Sequence, residues 1–262
     1  MKEENQIYGG FARVYDLFMD EIPYQEWSDY LFGLLEGEGV SRGTVVDLAC
    51  GTGEIAWRLR RKGYETIGVD ISQEMLEIAS QKCPSDVVLL HQDMRELELH
   101  APVEGVVCLC DGMNYMIAEE DLTKVFDRVA SCLAEGGVFI FDMKTEYFYR
   151  EILGDRILAD NREDASYIWD NEYDGDSGIN TYLLTLYELV DDDEDLFLRT
   201  DELHRQRAYP PEQVRGMLEA SGFMLAGIYE AMTERPPDEK SQRIYFVARL
   251  REDPDTGSVY EK

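Results

Sequence analysis

The chain has 262 residues, 44% of them hydrophobic, with 55 acids against 25 bases and a formal net charge of -30. That length supports one large core, or a core with a small subdomain. So acidic a surface repels a nucleic-acid backbone, and no nucleic-acid partner is expected; it reads as a solvated face or as a field that favours a cationic or amine substrate.

Residues 5 to 37 read as helical and rich in aromatics, among them Tyr8, Phe11, Tyr15, Tyr24 and Trp27. No basic segment followed by an apolar stretch opens the chain, and no run reaches the ~18 apolar residues of a membrane span. The five cysteines (Cys50, Cys83, Cys108, Cys110, Cys132) are odd in number and match no paired CxxC spacing. A reduced, cytoplasmic protein is therefore expected. With only three histidines, a histidine-rich metal site is not expected.

Strand and helix then alternate. Strands are predicted at 44–50, 65–70, 86–91, 104–110 and 138–143, with helices at 53–62, after Ser72, and at 119–134, ending at Gly136 and Gly137. This order predicts a parallel, doubly wound α/β sheet. From about 156 to 209 strand-like runs follow one another without helices, and an antiparallel β meander inserted after the fifth strand is predicted. Pro210 and Pro211 open a helix to Ala220, and 222–230 and 242–250 read as the last two strands. The predicted layout is a main domain of residues 1–155 and 210–250, with 1–37 as a helical lid, an insertion at 156–209, and a flexible tail at 251–262. The insertion could serve as a substrate cap or as a homodimer surface.

The run VVDLACGTGEIA at 45–56 carries the chemistry. An apolar strand ends in Asp47, Gly51 and Gly53 make a sharp turn, and a helix follows. A dinucleotide site is disfavoured because Ala56 stands where a third glycine would be, and because Asp47 would oppose a pyrophosphate. S-adenosylmethionine (SAM) has no phosphate and carries an ammonium and a sulfonium, which an acid near the loop favours. Asp70 ends the second strand and can accept both ribose hydroxyls. Met75 can pack on the adenine or in the core. Asp93, just past the third strand, can accept from the adenine amino group or cap its loop, with Met94 beside the ring. The fourth strand ends in VVCLCDGMNYM, which brings Asp111, Asn114 and Tyr115 to the same edge; Asp111 also reads as a turn-forming Asp-Gly.

The order VDLACGTG, GVDIS, HQDM, CDGMNYM and LAEGGVFIFD resembles class I SAM-dependent methyltransferases over about residues 5 to 250. The segment IYGGFARVYDLFMDEIPYQEW resembles the bacterial YqeM-like proteins, and ELHRQRAYPPEQVRGMLEASGF is similar to sugar-amine N-methyltransferases. The resemblance implies a seven-stranded Rossmann-like sheet of order 3-2-1-4-5-7-6 and SAM as cofactor, with SAH as product. It implies cofactor contacts from Asp47, Gly51, Gly53, Asp70, Met75, Asp93 and Met94, and Tyr8, Tyr15, Ala49, Cys50, Ile71, Cys110 and Asp111 are further candidate cofactor contacts. Strand four ends in Asp-Gly rather than an Asn-Pro-Pro-Tyr type motif, which argues against nucleic-acid or protein amide methylation.

The expected activity is in-line methyl transfer to N or O of a small molecule. Such a reaction needs mainly alignment and exclusion of water. Tyr8 and Tyr15 resemble tyrosines that in related enzymes approach the SAM carboxylate or methyl, and they also read as packing residues of an amphipathic helix. If the nucleophile arrives protonated, His204 is the first candidate base, because histidine titrates near neutrality, with Tyr115 and Asp111 next. A non-catalytic SAM- or SAH-binding regulatory protein is the alternative. A nicotinamide-dependent dehydrogenase and an RNA methyltransferase using Arg58, Arg60, Arg61 and Lys62 are disfavoured.

Overall fold

Helices α1 (Ala12–Phe18) and α2 (Tyr24–Gly37) open the fold in a computed structural model that describes residues 10–191, 194 and 196–251. Tyr8 and residues 252–262 of the expected tail lie outside the described residues. The single helical stretch expected over 5–37 is thus two helices. Pro23 explains the break: it has no N–H to donate, and it disfavours helical geometry in the residue before it.

The alternating region runs β1 (Thr44–Leu48), α3 (Glu54–Lys62), β2 (Glu65–Asp70), α4 (Gln73–Lys82), β3 (Val88–His91), β4 (Val103–Cys108), α5 (Glu119–Cys132) and β5 (Leu133–Lys144). Two strands stop short of their expected ends. Ala49, at φ 57°, ends β1, and Cys110 and Asp111, at φ 63° and 60°, turn the chain away after β4. The helix expected to 134 ends at Cys132, and β5 begins five residues before the expected start, with Leu133 opposite Val103 and an irregular register up to Val138 opposite Gly105.

A single π-helical turn (Phe148–Leu153) leads into β6 (Ile157–Asn161), β7 (Ala165–Asp174), β8 (Ile179–Asp191) and β9 (Leu196–Arg207). These pair antiparallel in the order β6-β7-β8-β9. The chain returns through α6 (Pro211–Ala220), β10 (Phe223–Glu230) and β11 (Arg243–Leu250). The main sheet has the order β10-β11-β5-β4-β1-β2-β3, with β11 antiparallel to both neighbours. This is the seven-stranded methyltransferase order.

Both faces of that sheet are covered, which is why its strands read as unbroken apolar runs. Val45, Val107 and Ile140 pack under α2 and α3, against Leu31, Leu35 and Leu59. Their strand neighbours Val46, Val106, Phe139 and Phe141 point the other way, to α5 and α6, against Val125, Phe126, Val214 and Leu218. Burying each large side chain contributes about 2 kcal/mol. The short helix α1 belongs to the second sheet: Val14, Phe11 and Phe18 pack with Tyr182, Leu184 and Leu186. Thus α1 packs with the β insertion, whereas α2 packs on the main sheet, and the segment expected as one N-terminal lid is divided between the two.

A candidate active site at the carboxyl edge

A cavity of about 430 Å³ opens where β1, β2, β3 and β4 end. Its lining includes Tyr15, Ala49, Gly51, Asp70, Ile71, Met75, Asp93, Met94, Cys110 and Tyr115. Five sequence-predicted residues stand off it: Asp47, Cys50, Gly53, Asp111 and His204. Nine lining residues escaped the sequence reading: Val69, Gln92, Arg95, Gly112, Met116, Ile117, Asp121, Leu203 and Arg205.

Asp70 is held by the loop it faces. Its Oδ2 accepts from the Gly51 N–H at 2.8 Å and its Oδ1 from the Ser72 N–H at 2.8 Å. A carboxylate offers about four acceptor positions, so acceptor capacity is left for a ligand hydroxyl. Burial pushes this carboxyl up, partly offset by the amides of Ser72, Gly51 and Ile71. Gly51, at φ 53°, would carry a Cβ into open space, whereas a Cβ on Gly53 would meet Cys83 Sγ at 2.7 Å. Gly51 therefore lets a ligand approach, and Gly53 lets α3 pack against α4.

Burial also raises Asp93, but Arg95 outweighs it and holds the carboxyl below its usual range. The guanidinium sits 2.5 Å from Asp93 and 3.3 Å from Asp121. Sequence offered a cue for Arg95, two residues past Asp93. It offered none for Leu203 and Arg205, which reach the cavity from β9.

Asp111 is committed elsewhere. It pairs with Arg243 at 2.9 Å and Lys144 at 3.1 Å, and Gln206 donates to it at 2.7 Å. Burial raises it, and Lys144, Arg243 and Gln206 outweigh burial and lower it. A carboxylate so held is a poor base. Asp142 of β5 accepts from the N–H groups of Cys110 (3.1 Å) and Asp111 (2.7 Å), which stabilises these two left-handed residues. Asn114 donates to the carbonyls of Lys144 and Arg207 and so fixes the turn that carries Tyr115.

His204 is fully buried behind the cavity wall, stacked on Tyr182 with centroids 4.6 Å apart. It touches the cavity through Tyr115, whose hydroxyl lies 3.1 Å from its Nδ1. Asp16, next to Tyr15, accepts from Thr52 Oγ1 at 2.7 Å and Lys82 Nζ at 2.8 Å, which ties α1 to the glycine loop.

Three carboxylates line the cavity against two guanidiniums, one of which is already paired. The Gly51 N–H, the amide a pyrophosphate would need, is donated to Asp70. Behind the loop, Asp47 Oδ2 is buried with no hydrogen-bond partner. These features fit a cationic nucleoside better than a dinucleotide. Of the basic stretch on α3, Arg58 pairs with Glu54, Arg60 with Asp86 and Lys62 with Glu36, and Arg61 lies over Trp57. Such pairing leaves little charge there for a nucleic acid.

Burial raises Asp47 to about 8, against an opposing amide from Ala56. A raised acid favours the folded state when protonated, so this contribution is complete below the ordinary value of 3.8 and is lost as pH rises to about 8. The slope is about 1.4 kcal/mol per pH unit across that window. Asp47→Asn is expected to flatten the fall in Tm from about pH 5 to about pH 8, with the variant more stable by at least ~3 °C at the upper end. Thermal melts of the unliganded proteins check this; parallel curves would reject it.

A methyltransferase-domain family profile matches residues 45–137. The chain is 36% identical over 246 residues to YqeM of Bacillus subtilis, covering 93% of this chain and 97% of YqeM, a protein whose name gives a methyltransferase and no acceptor. A Saccharopolyspora spinosa dTDP-4-amino-2,3,4,6-tetradeoxy-D-glucose N,N-dimethyltransferase is 34% identical over 99 residues, covering 38% of this chain and 39% of that enzyme. Among solved structures, an S-adenosylmethionine-dependent methyltransferase from Clostridium acetobutylicum superposes with TM-score 0.80 at 28% identity, covering 93% of this chain and 99% of that one.

Proposed function

The chain belongs to the YqeM-like family of SAM-dependent methyltransferases, and we propose that it methylates N or O of a small-molecule acceptor. The observation that carries this reading is Asp70, a buried carboxylate aimed by the Gly51 amide into a cavity lined by few cations. SAM, when bound, supplies an electrophilic methyl on a sulfonium. Asp70 would bind its ribose hydroxyls. Asp93, Met94, Ile71 and Met75 would hold its adenine. Ala49, Gly51 and Cys110 shape the floor, and Asp47 lies buried behind the loop. Cys50, Gly53 and Asp111 support the floor from behind.

Tyr15 covers the reacting end and excludes water. Tyr115 meets the acceptor. For a protonated nucleophile, the acceptor's proton passes to the Tyr115 oxygen as the phenol's own proton passes to His204 Nδ1. With SAM held there, its sulfonium would supply the methyl to the acceptor's lone pair and would keep the C–S electrons. This hydrogen-bonded route favours an enzyme over a non-catalytic binder, because a binder needs no proton path. Arg205 stands at the cavity with no ion pair among the described residues. An acceptor that joins an amine to an anionic group suits both Arg205 and the acidic field, and the sugar-amine relative fits that description. The outer face of the β insertion, with Ile157 and Val190 exposed, offers a surface for self-association.

Calorimetric titration of cofactor-stripped protein with SAH, with NAD as comparison, tests the cofactor reading. Saturable SAH binding at one site per chain and no NAD binding are expected. NAD binding alone, or neither, rejects it.

A further inference from the structure

We propose that Glu202 is a positioning residue that latches the lid and sets the tautomer of His204; this rests on the reading of Tyr115 and His204 as the proton route. The two oxygens of Glu202 do different jobs. Oε1 accepts from the backbone N–H of Gly10 at 2.8 Å and of Phe11 at 3.0 Å, the residues that lead into α1. Oε2 faces His204 Nε2 at 3.2 Å. Both side chains are buried, with 4% of Glu202 and none of His204 exposed. Glu202 thus joins the lid to the proton route in one carboxylate.

A carboxylate only accepts, so the neutral imidazole must carry its hydrogen on Nε2. Nδ1 then presents a lone pair, and Tyr115, 3.1 Å away, donates to it. Tyr182, 3.0 Å from the Tyr115 oxygen, donates in turn. This polarity lets Tyr115 pass its proton inward. With the hydrogen on Nδ1 instead, Tyr115 would accept from His204 and the route would be closed. Burial raises Glu202, but the hydrogen bond from His204 and the amides of Phe11 and Gly10 outweigh it and hold the carboxyl below its usual range.

The lid approaches closely enough to act as a latch. A Cβ on Gly10 would come within 2.6 Å of Thr200 Cγ2, so only glycine brings this backbone onto β9. With the lid docked, its two N–H groups demand an oxygen at the Oε1 position. In Glu202→Gln the amide oxygen must therefore face the lid, and its NH2 must face His204 Nε2. That orientation drives the ring hydrogen to Nδ1.

Histidine-selective 15N spectra of the full chain, taken where the ring is neutral, read this directly. The chain has three histidines, so His91→Gln and His100→Gln suffice to assign His204. The wild type is expected to carry hydrogen on Nε2. Glu202→Gln is expected to exchange the protonated-type and unprotonated-type signals of the two nitrogens, with SAH affinity within about threefold of wild type. Gly10→Ala in the E202Q background, which pushes the lid away, is expected to return the Nε2–H form at least in part. Tyr115→Phe is expected to leave the tautomer unchanged. An Nδ1–H wild type, an unaltered E202Q spectrum, or a tautomer that follows Tyr115 overturns the proposal. Loss of the lid effect in the double variant overturns the latch. Failure of SAH binding in every protein instead strikes the cofactor reading and leaves the tautomer result standing.

Discussion

Asp70→Ala is expected to weaken SAH binding by about 100-fold or more, on the order of 3 kcal/mol. Two hydrogen bonds to a charged acceptor are lost, each worth about 1.5–3 kcal/mol. The loss extends beyond the ligand contact. Asp70 also takes the N–H groups of Gly51 and Ser72, so its removal leaves the first unpaired beside the cavity and frees the start of α4. Asp70→Asn separates the two effects, because an amide can keep one backbone bond but faces the other N–H with its own NH2. Asparagine is therefore expected to bind more weakly than aspartate and more tightly than alanine. Calorimetry with SAH measures all three; binding by Asp70→Ala as tight as wild type would falsify the ribose assignment.

Arg243→Met is expected to be the most damaging single change to stability. The guanidinium lies 2.8 Å from Asp142 and 2.9 Å from Asp111, inside the wall behind the cavity, with Trp27 across its face. Removing one partner of a buried ion pair costs about 3–5 kcal/mol, because the charge left behind has no solvent. Here two carboxylates are left, and only Asp111 keeps another cation, Lys144. A fall in Tm of about 10 °C or more follows. The damage reaches the site, since Asp142 holds the left-handed turn at Cys110 and Asp111. Asp142→Asn in the same background removes one stranded charge and is expected to recover part of the loss. Thermal and denaturant unfolding check both, and a drop of less than about 2 °C would mean that water reaches the pair.

The legible part of the site was local in sequence. Gly51 and Asp70 sit where an apolar run of strand length ends, and alternation with helices puts all such ends on one edge. Asp93, Met94 and Tyr115 follow by the same logic, and each lines the cavity. Roles were less legible than positions. Gly53 looks like part of the ligand turn, yet its missing side chain makes room for Cys83 across a helix pair. Asp111 looks like the acid of the reacting edge, yet Arg243, 132 residues further on, claims it.

What the sequence by itself determined was the alternation of strands and helices and the turns at one sheet edge, because periodic burial and glycine turns act between near neighbours, while the strand order followed from the family resemblance. Tertiary structure alone decided which charges are spent and which face the cavity. Glu202 meets Gly10 across 192 residues, and Leu203 and Arg205 reach the cavity only because the inserted sheet folds back with α1 packed on it. No local pattern encodes such pairings. They follow from desolvation: once burial removes water, each polar group must take the partner that the packing of distant segments brings within reach.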